Sequence, residues 1–129
     1  MILADTSVWI ELLRRPGSLP SAVLRSLAVC GPVLQEVMQG LRPGRERERF
    51  VTDFSALPVL SDPLPRALFL DAAAIYRRGR ERGVTIRSSV DCLIAAIAVA
   101  NGVPLWHRDQ DFDAIATLVP LRVLHTRLR

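Results

Sequence analysis

The chain has 129 residues, of which 50% are hydrophobic, and 17 basic side chains outnumber 13 acidic ones. This length allows a hydrophobic core without disulfides or structural metals, so we expect one domain over residues 1–129. No apolar run reaches the roughly 18 residues of a membrane-spanning helix, and the N-terminal MILAD lacks the basic flank of a signal peptide. We therefore expect a cytoplasmic protein that does not contact membranes. Cys30 and Cys92 lie among apolar residues without ligand spacing, which predicts buried free thiols.

All of the basic side chains are arginine, because the sequence contains no lysine. This excludes P-loop phosphate binding, Schiff-base chemistry and phosphatase mechanisms that need a lysine. A net charge of +4 with acids concentrated in particular loops is typical of a protein that approaches a polyanion and holds metal against it. A composition with arginine alone can equally reflect a GC-rich genome.

The first predicted unit is a strand, an acid and a helix. Met1–Ala4 is a short apolar run, Asp5 follows it, and apolar residues then recur with helical spacing as far as Leu13. Asp5 is thus placed at the carboxyl end of a strand, next to a helix that Thr6 or Ser7 can cap. From this segment alone, Asp5 is as well explained as part of a helix cap as by a role in a site.

The spacing of apolar residues predicts three helices in the next part of the chain. Ser18–Val29 is amphipathic and looks purely structural, Val33–Leu41 is a second short helix, and Gly44–Leu57 alternates Arg and Glu on a solvated helix face. The second helix contains Glu36. Periodicity does not decide whether Glu36 points to water or into a site.

A long helix is predicted over about residues 66–82, after a possible short strand at Pro58–Leu60. Its end, YRRGRERG, gathers arginines with little opposing charge and is a candidate for contact with nucleic-acid phosphates. With Arg108, the candidate RNA-binding residues are Arg77, Arg78, Arg80 and Arg82.

The most apolar segment of the chain follows this basic cluster. Cys92–Ala100 is apolar on every side, which predicts a helix buried by its neighbours. Ser88 and Ser89 are residues of the N-cap type, and Asn101-Gly102 ends the helix. Val103–Trp106 then has the pattern of a buried strand.

Three carboxylates flank this buried helix and strand. Asp91 lies in the first turn of the helix, and Asp109 and Asp111 come just after the strand. Burying carboxylates in such places costs free energy unless a positive charge lies beside them. Asp111 is either a metal ligand or the cap of the helix that follows.

A helix over Asp113–Leu118 and a strand over Leu121–Leu124 complete the predicted elements. Alternating strands and helices without a hairpin signal predict an α/β domain with a mostly parallel sheet. The carboxyl ends of parallel strands meet at one edge beside helix N-termini, so the four aspartates can lie together there.

Several acids at one edge repel one another, so either their pKa values rise or divalent cations occupy the gap. Oxygen ligands without His or Cys favour Mg²⁺ or Mn²⁺. The chemistry most often served by such a cluster is metal-assisted attack of water on a phosphodiester.

Four spans in this order, MILADTSVWIELL, GPVLQEVMQG, SVDCLIAAIAVANGVPL and WHRDQDFDAIA, resemble PIN-domain ribonucleases of the VapC toxin type. The resemblance implies a PIN-like three-layer α/β/α fold with a central, mostly parallel sheet. It also implies that Asp111 binds a second metal and that Thr6 orients an acid or water. His107 matches a residue that is frequent before the acid, and we favour a packing or hydrogen-bonding role for it over a catalytic one. The acids that bind Mg²⁺ or Mn²⁺ and position water are by resemblance Asp5, Glu36, Asp91 and Asp109.

The same resemblance implies a function and its partners. The chain would be an endoribonuclease toxin that leaves a 5′ phosphate and a 3′ hydroxyl, and a VapB-type antitoxin would neutralise it. A homodimer is expected, with operator DNA bound only through the antitoxin. The alternative is a non-catalytic PIN-like module that binds RNA or protein and uses its acids only as helix caps. A phosphatase with Asp5 as nucleophile is disfavoured, because Ser7 replaces the second aspartate it needs and lysine is absent.

Overall fold

Four short parallel strands form the centre of the protein, which we describe over residues 1–125 of a computed structural model. The strands lie side by side in the order β2-β1-β3-β4, and every neighbouring pair is parallel. This confirms the predicted α/β class with a parallel sheet. The strands are β1 (Ile2–Ala4), β2 (Leu27–Ala28), β3 (Leu105–Trp106) and β4 (Val123–Leu124).

Helices flank this sheet and account for most of the described chain. α5 and α6 pack along each other, α6 also contacts α3 and α7, and α1 contacts α3 and α4. The helices are α1 (Thr6–Arg14), α2 (Ser21–Leu24), α3 (Gly31–Gly40), α4 (Arg45–Ser55), α5 (Arg66–Glu81), α6 (Ser89–Asn101) and α7 (Gln110–Ala116).

The order of the strands creates a switch point between β1 and β3. From β1 the chain crosses to β2 on one side, and from β3 it crosses to β4 on the other side. Right-handed crossovers in opposite directions place their helices on opposite faces, which gives the three layers of the predicted fold. Ligands of open α/β sheets bind beside such a point, at the carboxyl ends of the strands.

α6 is the helix with the most buried residues in the described part of the chain. Its core residues include Ile94, Ala95, Ile97 and Ala98, each at most 1% exposed. Gly102 ends it with a φ of 63°, a left-handed conformation that glycine adopts without steric cost. Because α6 precedes the parallel strand β3 and runs back across the sheet, its first turn lies at the edge where the strands end.

Three elements differ from the sequence prediction, and one of them, α7, begins at Gln110 instead of at Asp113. The helix expected over Ser18–Val29 is wrong, because only Ser21–Leu24 is helical and Leu27–Ala28 forms the edge strand β2. Apolar runs of a few residues fit a helix or a buried strand equally well, and here pairing with β1 decides. The possible strand at Pro58–Leu60 is reduced to one parallel bridge between Val29 and Val59.

Cys30 and Cys92 are buried free thiols, as predicted.

Within residues 1–125, no helix combines the length and apolar character needed to cross a bilayer.

Candidate metal centre

Asp5 directly follows β1 and is only 4% exposed. Its carboxylate Oδ1 accepts hydrogen bonds from the Ser7 hydroxyl (2.6 Å) and the Val8 backbone N–H (3.4 Å). Asp5 itself is therefore the N-cap of α1, and the prediction that Thr6 or Ser7 fills that position is wrong. Burial raises the pKa of Asp5 to about 6, and the charge of Asp109 adds to the rise, against the lowering effect of those hydrogen bonds.

Glu36 points toward the same edge from α3, which begins at Gly31, three residues after the last residue of β2. The Thr6 hydroxyl donates a hydrogen bond of 2.8 Å to Glu36 Oε1. Thr6 and Ser7 are consecutive residues in the first turn of α1. They thus hold two acids from different elements, Glu36 and Asp5.

Asp91 lies in the first turn of α6 and is 8% exposed. Burial is the main reason that its pKa rises to about 7. The charges of four other acids raise it further, and in decreasing order these are Asp109, Glu36, Asp5 and Asp111. All five acids of the sequence prediction therefore lie close enough to act on one carboxyl group.

Asp109 is the N-cap of α7, and its Oδ1 accepts the Asp111 backbone N–H at 2.9 Å. The interpretation of Asp111 as that cap is therefore wrong. The carboxylate of Asp111, 8% exposed as a residue, faces the cluster instead. Asp91, Asp109 and Asp111 each offer an oxygen within 4.8 Å of the others.

Arg87 is part of this site and was not predicted from the sequence. Its guanidinium donates to both carboxylate oxygens of Asp111 at 3.2–3.3 Å and lies 3.8 Å from Asp109 Oδ1. These contacts raise the pKa of Arg87. The Arg87 side chain is 70% exposed, so one of its faces remains open to solvent. Its position four residues before Asp91 does not distinguish it from the other exposed arginines.

The predicted RNA-binding arginines have different surroundings. Arg78 donates a 2.7 Å hydrogen bond to the Leu118 carbonyl, and Arg108 pairs with Glu11 at 2.9 Å. Both therefore support contacts within the protein. Arg77, Arg80 and Arg82 are exposed at the end of α5.

The donor set fits a hard divalent cation. Asp91, Asp109 and Asp111 form its compact group, whereas Asp5 and Glu36 lie outside that group but near enough to raise the pKa of Asp91. Oxygen-rich sites of this kind suit Mg²⁺ or Mn²⁺. Burial is the main cause of the raised pKa values of Asp5 and Asp91, and the charges of neighbouring acids add to it. Arg87 offsets part of the repulsion from Asp109 and Asp111.

Comparisons with known proteins identify the family of the chain. A family model described as the PIN domain matches residues 2–118. A VapC ribonuclease of Mycobacterium bovis and ribonuclease VapC11 of Mycobacterium tuberculosis are each 38% identical to the chain, over 98% of it and 100% of their own length. The chain belongs to the PIN domain family, within its VapC group.

Solved structures of VapBC complexes share this PIN fold. One is the DNA-bound VapBC from Salmonella typhimurium, with a TM-score of 0.78, 19% identity and coverage of 95% of this chain and 96% of that one. VapBC-1 from nontypeable Haemophilus influenzae gives a TM-score of 0.74 at 18% identity, with 96% and 97% covered. At this identity the likeness concerns the fold alone.

Proposed function

We propose that this PIN domain is a Mg²⁺- or Mn²⁺-dependent endoribonuclease, the toxin of a toxin-antitoxin pair that acts in the cytoplasm. The observation that carries the proposal is the group of Asp91, Asp109 and Asp111 at the switch point, with Asp5 and Glu36 near enough to help raise the pKa of Asp91 to about 7. The ribonuclease names of the 38% identical relatives support the choice of RNA as substrate.

In this proposal the cation is held by Asp5, Glu36, Asp91 and Asp109, with Asp111 available to a second ion. When bound, the ion supplies Lewis-acid activation of the phosphate and makes water a better nucleophile near neutral pH. The protein supplies the orientation of the acids. Ser7 and Thr6 hold the carboxylates of Asp5 and Glu36, and the rigid α6 helix carries Asp91.

In this proposal the exposed arginines bind the RNA. Arg87 lies at the acidic cluster with one face open, where it can pair with a phosphate next to the cleaved bond. Arg77, Arg80 and Arg82 extend the basic surface along the end of α5, and Arg108 beside α1 is a further candidate. Hydrolysis would leave a 5′ phosphate and a 3′ hydroxyl.

The proposed partners follow from what the related structures contain. Several of these are VapBC complexes, and two of them are bound to DNA. We accordingly propose a VapB-type antitoxin for this chain, with operator DNA reached through that antitoxin. The homodimeric state is proposed from the resemblance to VapC toxins alone.

The test is RNA cleavage by purified protein freed of any antitoxin. Cleavage of structured RNA should require Mg²⁺, stop on addition of EDTA and resume when Mg²⁺ is restored. Asp91→Asn should lower the rate by roughly 10²–10³-fold, because metal activation supplies several kcal/mol of transition-state stabilisation.

Asp71→Asn is the matched control, because Asp71 is an exposed acid on α5. It should cleave like the wild-type protein, and both variants should remain folded. Cleavage that ignores EDTA, or an unchanged rate in Asp91→Asn, would contradict the proposal. Absence of cleavage with intact RNA binding would favour the non-catalytic module.

A further inference from the structure

His107 is a buried residue that directly contacts the backbone of Asp109. It is 1% exposed, and its Nδ1 accepts the Asp109 backbone N–H at 3.1 Å. A ring nitrogen that accepts a hydrogen bond carries no proton, so the neutral ring must carry its proton on Nε2. The contact with Asp109 therefore fixes the tautomer of His107.

The Nε2 side of the ring faces a second carboxylate, outside the metal centre. Nε2 lies 3.3 Å from Asp113 Oδ1, and the same oxygen lies 3.1 Å from His125 Nε2. Among the described residues, His107 Nε2 has no well-directed hydrogen bond. Asp113 is half exposed, so a small rotation of its carboxylate can align it with the N–H, and its negative charge favours a proton on that nitrogen.

Packing fixes the ring from both sides. The Phe112 ring lies 5.3 Å from the His107 ring between centroids, and the His125 ring lies 4.8 Å away in an edge-on contact. Asp109 in turn is fixed at two points, since His107 holds its N–H and the Asp111 N–H holds its carboxylate Oδ1. The turn between β3 and α7 thus presents the Asp109 carboxylate in one orientation.

Another interpretation of the same residues is a transition-metal site. His107, Asp113 and His125 each offer an atom within 4.8 Å of the others, and two histidines with one carboxylate are common zinc ligands. A metal on His107 Nε2 would need the ring proton to move to Nδ1, which faces the Asp109 N–H. That clash disfavours the metal site.

We propose that His107 is a positioning residue, which orients Asp109 for metal binding through Nδ1 while Asp113 and His125 hold its Nε2 tautomer. The proposal rests on the proposed function, because it gives the orientation of Asp109 a role in holding the catalytic ion. His107 does not contact the reacting atoms in this scheme.

Two substitutions of similar size distinguish the role of His107 Nδ1 from that of His107 Nε2. In His107→Asn, the side-chain oxygen takes the position of Nδ1 and can still accept the Asp109 N–H. In His107→Gln, the amide reaches the position of Nε2 near Asp113, and the acceptor for Asp109 is lost. Both variants remove the ring contacts with Phe112 and His125, so a purely structural role predicts the same outcome for both.

The measurements are Mn²⁺ affinity by titration and the kcat and KM of RNA cleavage. His107→Gln should weaken Mn²⁺ binding about 10–100-fold and lower kcat by a similar factor, the usual effect of removing a residue that orients a ligand. Its KM for RNA should not change. His107→Asn should stay close to the wild-type protein in both measurements, although its melting temperature should fall as much as that of His107→Gln.

Equal losses of Mn²⁺ affinity in the two variants would overturn the positioning role. A wild-type protein that neither binds Mn²⁺ nor cleaves RNA would instead overturn the proposed function, and the positioning role with it. The tautomer is checked separately by long-range ¹H–¹⁵N correlation of the histidine rings. A proton on Nδ1, or tight Zn²⁺ binding that is lost in His125→Ala, would overturn the assignment.

Discussion

Asp5 and Asp91 have pKa values raised to about 6 and about 7, from an ordinary value of 3.8. Between about pH 4 and pH 7, these two carboxyl groups bind protons more tightly in the folded protein than in the unfolded chain. Both groups therefore favour folding at low pH and oppose it as pH rises. For the metal-free protein, their contribution to the free energy of unfolding is largest near pH 4. It falls as pH rises to about 7. For Asp5, a shift of about two pKa units corresponds to roughly 3 kcal/mol.

Urea unfolding in EDTA between pH 4 and pH 8 measures this dependence. Asp5→Asn should flatten the fall in unfolding free energy over that range, because an amide does not titrate. Asp71→Asn should keep the wild-type slope. The assignment of a raised pKa to Asp5 would be wrong if its replacement left the pH dependence unchanged.

Arg87 affects how tightly the acidic cluster should bind a divalent cation. Its guanidinium occupies oxygens of Asp111 and lies near Asp109, so it competes with a divalent cation for the same charges. Arg87→Ala should therefore bind Mn²⁺ more tightly than the wild-type protein. The unfolding free energy of the metal-free protein should change by less than about 1 kcal/mol, because exposed ion pairs contribute little.

Mn²⁺ titration with Arg45→Ala as control, an exposed arginine at the start of α4, checks this prediction. Weaker Mn²⁺ binding in Arg87→Ala would mean that Arg87 assists the ion. RNA cleavage by the same variant should slow, since the proposed contact with phosphate is lost.

The individual acids were predictable to different degrees. Asp5, Asp91 and Asp109 stand next to apolar segments whose ends are visible in the sequence, so their place at one edge follows from the parallel sheet. The direction of Glu36 depends on Thr6, 30 residues away, and periodicity within α3 carries no trace of that contact. Arg87 meets Asp111 across 24 residues, and an exposed arginine has no pattern of its own.

Among the elements, the long helices and the strands β1, β3 and β4 were predictable, whereas β2 was not. α5 and α6 are long enough to show helical spacing and clear ends. β2 has only two residues, and its conformation is fixed by pairing with β1. Local sequence does not contain that information, so the apolar residues before Cys30 fitted a helix equally well.

The basic end of α5 should bind RNA through its exposed arginines. Arg80 and Arg82 are exposed, whereas Arg78 holds the Leu118 carbonyl. Replacing Arg80 and Arg82 together by Ala should weaken RNA binding and flatten its salt dependence. If each arginine contacts one phosphate of single-stranded RNA, the slope of log K against log salt should change by about 1.4.

Arg78→Ala is the contrasting variant for this measurement. It should lower the melting temperature because the partly buried Leu118 carbonyl loses its donor, with little effect on the salt slope. The RNA titrations are made in the Asp91→Asn background so that the RNA stays intact. An unchanged slope in the double variant would assign Arg80 and Arg82 to solvated surface.

For the molecule as a whole, the topology of the sheet explains why distant segments share one site. The chain leaves β1 and β3 in opposite directions, which opens a crevice between the two strands. Asp5 and Asp109 flank this crevice, α6 brings Asp91 to it, and α3 brings Glu36. The sequence predicted a parallel sheet, but the order of its strands depends on long-range pairing and could not be derived from local patterns.

If these acids share a divalent cation, as we propose, calorimetry near pH 6.5 should detect Mn²⁺ binding. Because the pKa of Asp91 is about 7 without metal, binding should displace protons, and the observed heat should vary with the ionisation enthalpy of the buffer. We predict this proton release for the wild-type protein and Asp71→Asn, and weaker binding with fewer protons released for Asp91→Asn. Failure of the wild-type protein to bind Mn²⁺, or binding in Asp91→Asn with the same affinity and proton count, would show that Asp91 and its neighbours do not form the proposed metal site.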